Sequence, residues 1–104
     1  MANYLLTYYG GAGMPESPEE GAKVMAAWSA WFEQLGDAVV DGGNPTSESR
    51  AISPDGSVMD ATMAPTGYSV IKADTLDAAV KAAAGCPVLA GGSTVVVSET
   101  FAAM

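Results

Sequence analysis

The sequence predicts a single α+β domain, residues 1–104, built on one antiparallel sheet. Three observations carry this prediction. The last forty residues alternate strand, helix and strand, and the first forty show the same order. Between these halves, Asp55-Gly56 separates two short apolar runs, which is a hairpin signal. At 104 residues the chain has the length of one domain.

The first half begins with an aromatic and aliphatic strand over Asn3–Tyr9. Ser17–Glu20 is a strong helix start, because Ser17 can cap, proline suits the first helical position and Glu20 closes a capping box. The helix is predicted to run to about Leu35, where Gly36 ends it, and a short strand follows at Ala38–Asp41. Apolar residues spaced by three and four make one stripe on this helix: Val24, Met25, Trp28, Trp31, Phe32 and Leu35.

A small hairpin is predicted between the two halves. Its strands are Arg50–Ser53 and Ser57–Asp60, joined by Pro54-Asp55-Gly56.

The second half begins with a strand at Thr66–Ala73. Asp74 or Thr75 caps a second helix, whose apolar face carries Leu76, Ala79, Val80 and Ala83. Gly85 ends that helix and Pro87 prevents its continuation. The last strand is predicted at Thr94–Ser98.

Two βαβ units with only two helices indicate a ferredoxin-like arrangement, with both helices on one face of the sheet. The strands carry apolar groups on both sides, however: Tyr68 and Val70 on one, Ile71 and Ala73 on the other. Strands of this kind are buried on both faces. We therefore expect a homodimer, or a higher oligomer, in which a second copy covers the face that the helices leave open.

The charge balance disfavours polyanionic partners. Twelve acids against four bases give a net charge of −8. The bases Lys23, Arg50, Lys72 and Lys81 are scattered, so neither nucleic acid nor an anionic membrane is an expected partner. An excess of acidic residues is typical of proteins that stay soluble through charge repulsion.

We expect a cytoplasmic protein. No apolar run is long enough to span a bilayer, and no basic residue precedes the first apolar segment as in a secretory signal. The single cysteine, Cys86, follows a helix and is predicted to be a buried, inert thiol.

The second half resembles the YCII-related proteins, in the branch that includes the DGPF-domain proteins. The resemblance lies in Gly67–Ile71, Asp74–Ala79, Gly85-Cys86-Pro87 and Gly91–Val97. It implies a dimeric α+β barrel, in which two sheets pack face to face around a central cavity. It implies no settled function.

This chain departs from the family at two points. Some relatives are thought to use a His–Asp pair in the cavity, and this chain has no histidine. The stretch that corresponds to Asp-Gly-Pro-Phe reads Met59–Ala64. Binding of a ligand in the cavity does not require the His–Asp pair, so the resemblance still allows a binding function.

The lack of histidine also excludes a Ser-His-Asp or Cys-His site within one chain, and neither a metal nor a cofactor is expected. Gly10–Gly13 lacks the dinucleotide spacing, since Glu16 stands where the third glycine belongs. We interpret this segment as a loop that could act as a lid over a pocket.

Six residues are candidates for a ligand site. Trp28 and Trp31 either pack in the core or line a pocket, and Tyr8 and Tyr68 carry hydroxyls that need partners when buried. Asp41 and Asp60 each end a strand and are either solvated or general bases.

Three functions stay open at this point. The first is a dimeric module that binds a small molecule, for example an aromatic one, in a barrel-like cavity without a cofactor. The second is an enzyme of the lactone-isomerase or another small-molecule-modifying type, using Asp41, Asp60 and Tyr68. The third is a structural or partner-binding dimer.

Overall fold

The structure, a computed structural model that describes residues 1–10 and 17–102, is an α+β fold with a four-stranded antiparallel sheet and two helices. The strands are β1 (Ala2–Gly10), β2 (Val39–Asp41), β3 (Arg50–Ile52), β4 (Val58–Asp60), β5 (Gly67–Ala73) and β6 (Ser93–Glu99). The helices are α1 (Pro18–Leu35) and α2 (Leu76–Ala83). Short 3-10 turns occupy Gly36–Ala38 and Pro87–Gly91.

The main sheet has the strand order β2-β5-β1-β6, and each neighbouring pair is antiparallel. In the centre, Leu6 of β1 faces Ser69 of β5 and Val97 of β6. Strands β3 and β4 form the predicted hairpin as a separate two-stranded sheet.

The helix signals act as expected. The Ser17 hydroxyl accepts a hydrogen bond from the Glu20 backbone N–H, and the Thr75 hydroxyl does the same for the Ala78 N–H. Gly36 ends α1 with a φ of +58°, a conformation that glycine adopts without a Cβ penalty. No helix in the described part of the chain is long and apolar enough to cross a membrane.

The core lies under one face of the sheet. Alternate residues of β1 are buried there, namely Tyr4, Leu6 and Tyr8, together with Ile71 of β5. Both helices contribute to this cluster, α1 through Trp31 and α2 through Ala79 and Ala83. The strand alternation therefore separates a helix-covered face from an open face.

The open face is formed by the other set of alternate residues. Leu5 lies between Val70 and Ser98, and in the next row Thr7 lies between Tyr68 and Val96. Val96 is 42% exposed. No described helix covers this side of the sheet, because the buried residues of both helices belong to the opposite core.

The hairpin carries exposed apolar side chains. Ile52 and Val58 are directly opposite one another, and both are exposed. Its turn is held by Asp55, whose carboxylate accepts hydrogen bonds from the Ser53 hydroxyl and the Ser57 N–H. These bonds, that of Ser53 first, lower the pKa of the Asp55 carboxyl to about 2.

Candidate functional site

A cleft with a volume of about 570 Å³ opens between α1 and one end of the sheet. Helix α1 supplies one wall, through Gly21, Val24, Met25, Trp28, Ser29 and Phe32. The opposite wall is the segment after β2, Gly42–Pro45, with the start of β5, Thr66–Ser69. Tyr8 and Val88 complete the lining. The volume lies within the usual range for small-molecule sites.

No charged side chain belongs to the lining contributed by the described residues. Most of the lining is apolar, and its polar side-chain groups are hydroxyls, the Asn44 amide and the Trp28 indole N–H. The protein has a net charge of −8, so the absence of acidic side chains from this lining sets the cleft apart. It favours an uncharged ligand, because burying an unpaired charge costs several kcal/mol.

Aromatic rings form the inner wall of the cleft. Tyr8 and Trp28 meet edge to face, with ring centroids 5.6 Å apart. Phe32 lies 5.6 Å from Trp28 on the helix. This arrangement suits a flat ligand, because aromatic pairs prefer offset and edge-to-face contacts at such distances.

A buried hydrogen-bond chain lies at the base of the cleft. The Tyr8 hydroxyl donates to Ser69 Oγ at 2.7 Å, and Ser69 Oγ donates to the Gly42 carbonyl oxygen at 2.8 Å. Ser69 is completely buried and Tyr8 nearly so. These bonds join β1, β5 and the segment after β2.

Burial controls the titration of the groups at this base. It raises the pKa of the Tyr8 phenol well above its ordinary value, although the hydrogen bond with Ser69 opposes the shift. Burial also raises the pKa of the Cys86 thiol, which is 3% exposed. Both groups are therefore protonated at neutral pH, and neither supplies an anion.

The wall next to β5 depends on Gly43. Its φ is +78°, and a Cβ at this position would lie 1.7 Å from the Tyr68 carbonyl oxygen. The Gly43 N–H donates to Asp41 Oδ1 at 2.8 Å, and the Tyr68 N–H donates to the Asn44 carbonyl at 3.2 Å. The chain thus passes β5 at a distance that only glycine permits.

Three of the six candidate residues lie at the cleft: Tyr8, Trp28 and Tyr68. Strand alternation turns the Tyr68 ring toward the open face, where its hydroxyl accepts a 3.5 Å hydrogen bond from Asn44 Nδ2. Its hydroxyl is therefore not placed beside that of Tyr8, although the residue belongs to the lining.

The other three candidates lie elsewhere. Trp31 is in the core, where its indole N–H donates to the Ala82 carbonyl at 3.2 Å. Asp41 is exposed at the sheet edge and is bonded to its own turn. Asp60 is exposed on the hairpin, opposite Arg50. The structure brings neither carboxylate into the cleft.

The sequence interpretation missed two parts of the site. Ser69 carried a signal, since it is a small polar residue directly before the aliphatic pair Val70-Ile71 in the predicted strand. Gly42 and Gly43 directly follow the predicted strand Ala38–Asp41, and nothing local in the sequence shows that they pack against β5. The proposed lid, Gly10–Gly13, lies mostly outside the described residues, as does Glu16.

The cleft lies on the helix side of the sheet. The barrel implied by the resemblance has its cavity between the sheets of two copies, which is the other side. Within the described residues no cluster of three or more histidine, cysteine or carboxylate side chains could hold a metal ion. No family model, curated protein or solved structure matches the chain.

Proposed function

We propose that this protein is a small binding module that holds a neutral, largely aromatic molecule in the cleft between α1 and the sheet. The observation that carries the proposal is the composition of the lining: aromatic rings, aliphatic groups and hydroxyls, with no charged side chain among the described residues. An apolar cleft with a few convergent polar groups is the usual form of a small-molecule site.

No observation favours the alternative, an enzyme of the lactone-isomerase type. Such an enzyme needs a carboxylate at the ligand, and Asp41 and Asp60 lie away from the cleft. Tyr8 and Cys86 are held in their protonated forms by burial. A ligand is therefore bound here by shape and hydrogen bonding.

The binding proposal predicts that a charge in the lining lowers the affinity for a neutral ligand. Val24→Asp places a carboxylate on the cleft wall at a position 43% exposed, so the protein should still fold. A probe such as 4-fluorotoluene should bind with a dissociation constant near 1 mM, since eight heavy atoms give about −4 kcal/mol. We expect at least about tenfold weaker binding by the variant, since desolvating the carboxylate adds more than about 1.4 kcal/mol.

The readout is ¹⁹F NMR of the probe, titrated with protein. Leu76→Asp is the matched control, because Leu76 is 45% exposed at the start of α2 and takes no part in the cleft. Binding that is equal in wild type and Val24→Asp would show that the probe sits elsewhere. If no neutral aromatic probe binds to wild type, the result contradicts the binding proposal and favours a partner-binding protein.

We further propose that the chain is a ferredoxin-like domain that forms a homodimer through the open face of the sheet. The order of elements and the strand order β2-β5-β1-β6 support this arrangement. The dimer and the ferredoxin-like domain are also what the resemblance to YCII-related proteins implies, and membership of that family is part of the proposal.

Charge supports a second copy as the occupant of the open face. The outward positions of β1, β5 and β6 include no acidic residue, although the chain has twelve, and they include one base, Lys72. Two chains that each carry −8 repel one another over most of their surfaces. These three strands are where two chains can meet, with Leu5, Val70 and Val96 at the centre and Asp41 of the edge strand β2 beside Val70.

The dimer proposal predicts a native mass of twice the 10.5 kDa chain mass at about micromolar concentration. Val96→Asp should weaken the dimer roughly 100-fold, because an unpaired charge buried in the interface costs about 3 kcal/mol. Leu89→Asp is the matched control, since Leu89 is also 42% exposed but lies in the 3-10 turn beside α2. Sedimentation velocity at several concentrations distinguishes the two variants. A Val96→Asp protein that stays dimeric on dilution would place the interface elsewhere.

A further inference from the structure

The hydrogen-bond chain under the cleft has only one possible direction. The Gly42 carbonyl oxygen carries no hydrogen, so Ser69 must donate its single proton there. Ser69 Oγ then has only lone pairs left, so Tyr8 must donate to it. The proton of Tyr8 is thereby used, and its hydroxyl oxygen can only accept any further hydrogen bond.

This direction is fixed by burial. Ser69 is 0% exposed and Tyr8 4% exposed, so water cannot freely replace either partner. Reversing the chain would leave the Gly42 carbonyl without a donor, and an unpaired buried polar group costs about 1–3 kcal/mol. Tyr8 and Ser69 both belong to the lining of the cleft, and the Cys86 thiol lies beside the Tyr8 hydroxyl on the core side. A ligand group that reaches the Tyr8 oxygen from the cleft therefore meets an acceptor.

We propose that the cleft selects neutral aromatic molecules that carry an O–H or N–H donor, with that donor directed at the Tyr8 oxygen. The inference rests on the proposed function, since it concerns the ligand of the same site. Phenols, indoles and aromatic alcohols fit this chemistry. An aromatic molecule with only an acceptor group would present lone pairs to lone pairs, and a carboxylate would add an unpaired charge.

The other polar groups at the cleft differ in what they prefer in a ligand. The Ser29 hydroxyl can donate or accept, the Trp28 indole N–H can only donate, and the Asn44 amide is bonded to the Tyr68 hydroxyl. The Thr66 hydroxyl donates to the Tyr8 backbone carbonyl at 3.2 Å. A preference for a donor in the ligand is therefore attributed to Tyr8 only if it disappears with the Tyr8 hydroxyl.

The experiment compares 4-fluorophenol with 4-fluorotoluene, two probes of nearly equal shape of which only the first has a donor. Both are neutral at pH 7, because a phenol titrates near pH 10. The affinities of both are measured by ¹⁹F NMR for wild type and Tyr8→Phe. One lost hydrogen bond should lower the phenol-to-toluene affinity ratio about fivefold in Tyr8→Phe.

A second variant reverses the selectivity. Ser69→Ala removes the acceptor of the Tyr8 proton, which then becomes free to donate into the cleft. The acceptor-only probe 4-fluoroanisole should gain affinity relative to 4-fluorophenol in this variant, whereas wild type should disfavour it. A merely structural role of Ser69 would weaken all probes together, so the reversal is specific to the direction of the chain.

The outcomes separate this inference from the proposed function. If all probes bind and neither Tyr8→Phe nor Ser69→Ala changes their relative affinities, the donor selectivity is wrong and the binding cleft stands. If no probe binds to wild type, both are overturned. Should Tyr8→Phe fail to fold, the wild-type order of 4-fluorophenol above 4-fluoroanisole and its reversal in Ser69→Ala still decide the question.

Discussion

Replacing Ile71 by aspartate will leave the chain unfolded at neutral pH. Ile71 is 0% exposed in the middle of β5, with Tyr4 opposite it on β1 and Val39 on β2. Loss of the buried aliphatic side chain costs about 2–5 kcal/mol. A carboxylate with no partner at this position adds several kcal/mol of desolvation. The sum reaches the whole free energy of unfolding expected for 104 residues, about 5–15 kcal/mol.

Far-UV circular dichroism and one-dimensional NMR will show this directly, as loss of the cooperative thermal transition and of shifted methyl resonances. Val96→Asp is the control on the opposite face of the sheet. Val96 is 42% exposed, so its carboxylate stays hydrated in the monomer, and the monomer should remain folded. A folded Ile71→Asp protein with a wild-type transition would mean that the helices do not cover this face.

The positions of Ile71 and Val96 on opposite faces also show which features of the fold the sequence predicts and which it does not. The order of elements was readable because each has strong local signals, such as Ser17 and Pro18 at the start of α1 and Asp55-Gly56 in the hairpin. The strands themselves were less informative. The run Tyr4–Tyr9 has apolar or aromatic residues on both sides, so the letters alone could not say which side the helices cover. That choice is made by long-range packing against Trp31 and α2.

The candidate site was predictable in part, for a related reason. Aromatic residues at helical spacing indicated either core or pocket, and the structure divides them: Trp28 lines the cleft and Trp31 fills the core. The carboxylates Asp41 and Asp60 could not be placed, because their positions depend on how the strands pair. Ser69 gains its role only from Tyr8, which lies 61 positions earlier in the chain. Contacts of such separation leave no periodic trace in a sequence.

Replacing Gly43 by alanine will have the largest effect of any small substitution at the cleft. The φ of +78° costs an L-residue about 1–2 kcal/mol. The added Cβ would also lie 1.7 Å from the Tyr68 carbonyl oxygen, which is backbone and cannot swing aside. The segment after β2 must therefore move away from β5, which breaks the hydrogen bond from the Tyr68 N–H to the Asn44 carbonyl. We expect a loss of roughly 3 kcal/mol and a midpoint of thermal unfolding lowered by at least about 10 °C.

The neighbouring glycine provides a control one residue away. A Cβ on Gly42 would meet the Phe32 ring at 3.4 Å, which is ordinary van der Waals contact, and its φ lies outside the left-handed region. Gly42→Ala should therefore stay within about 0.5 kcal/mol of wild type, since it meets none of the mechanisms that give large losses. Gly43→Ala should also lose probe binding, because one wall of the cleft moves with the displaced segment. If the two alanine variants unfolded at the same temperature, the close approach of Gly43 to β5 would be wrong. The packing of Gly42–Pro45 against β5, and with it the base of the cleft at Tyr8 and Ser69, would then differ from the arrangement described above.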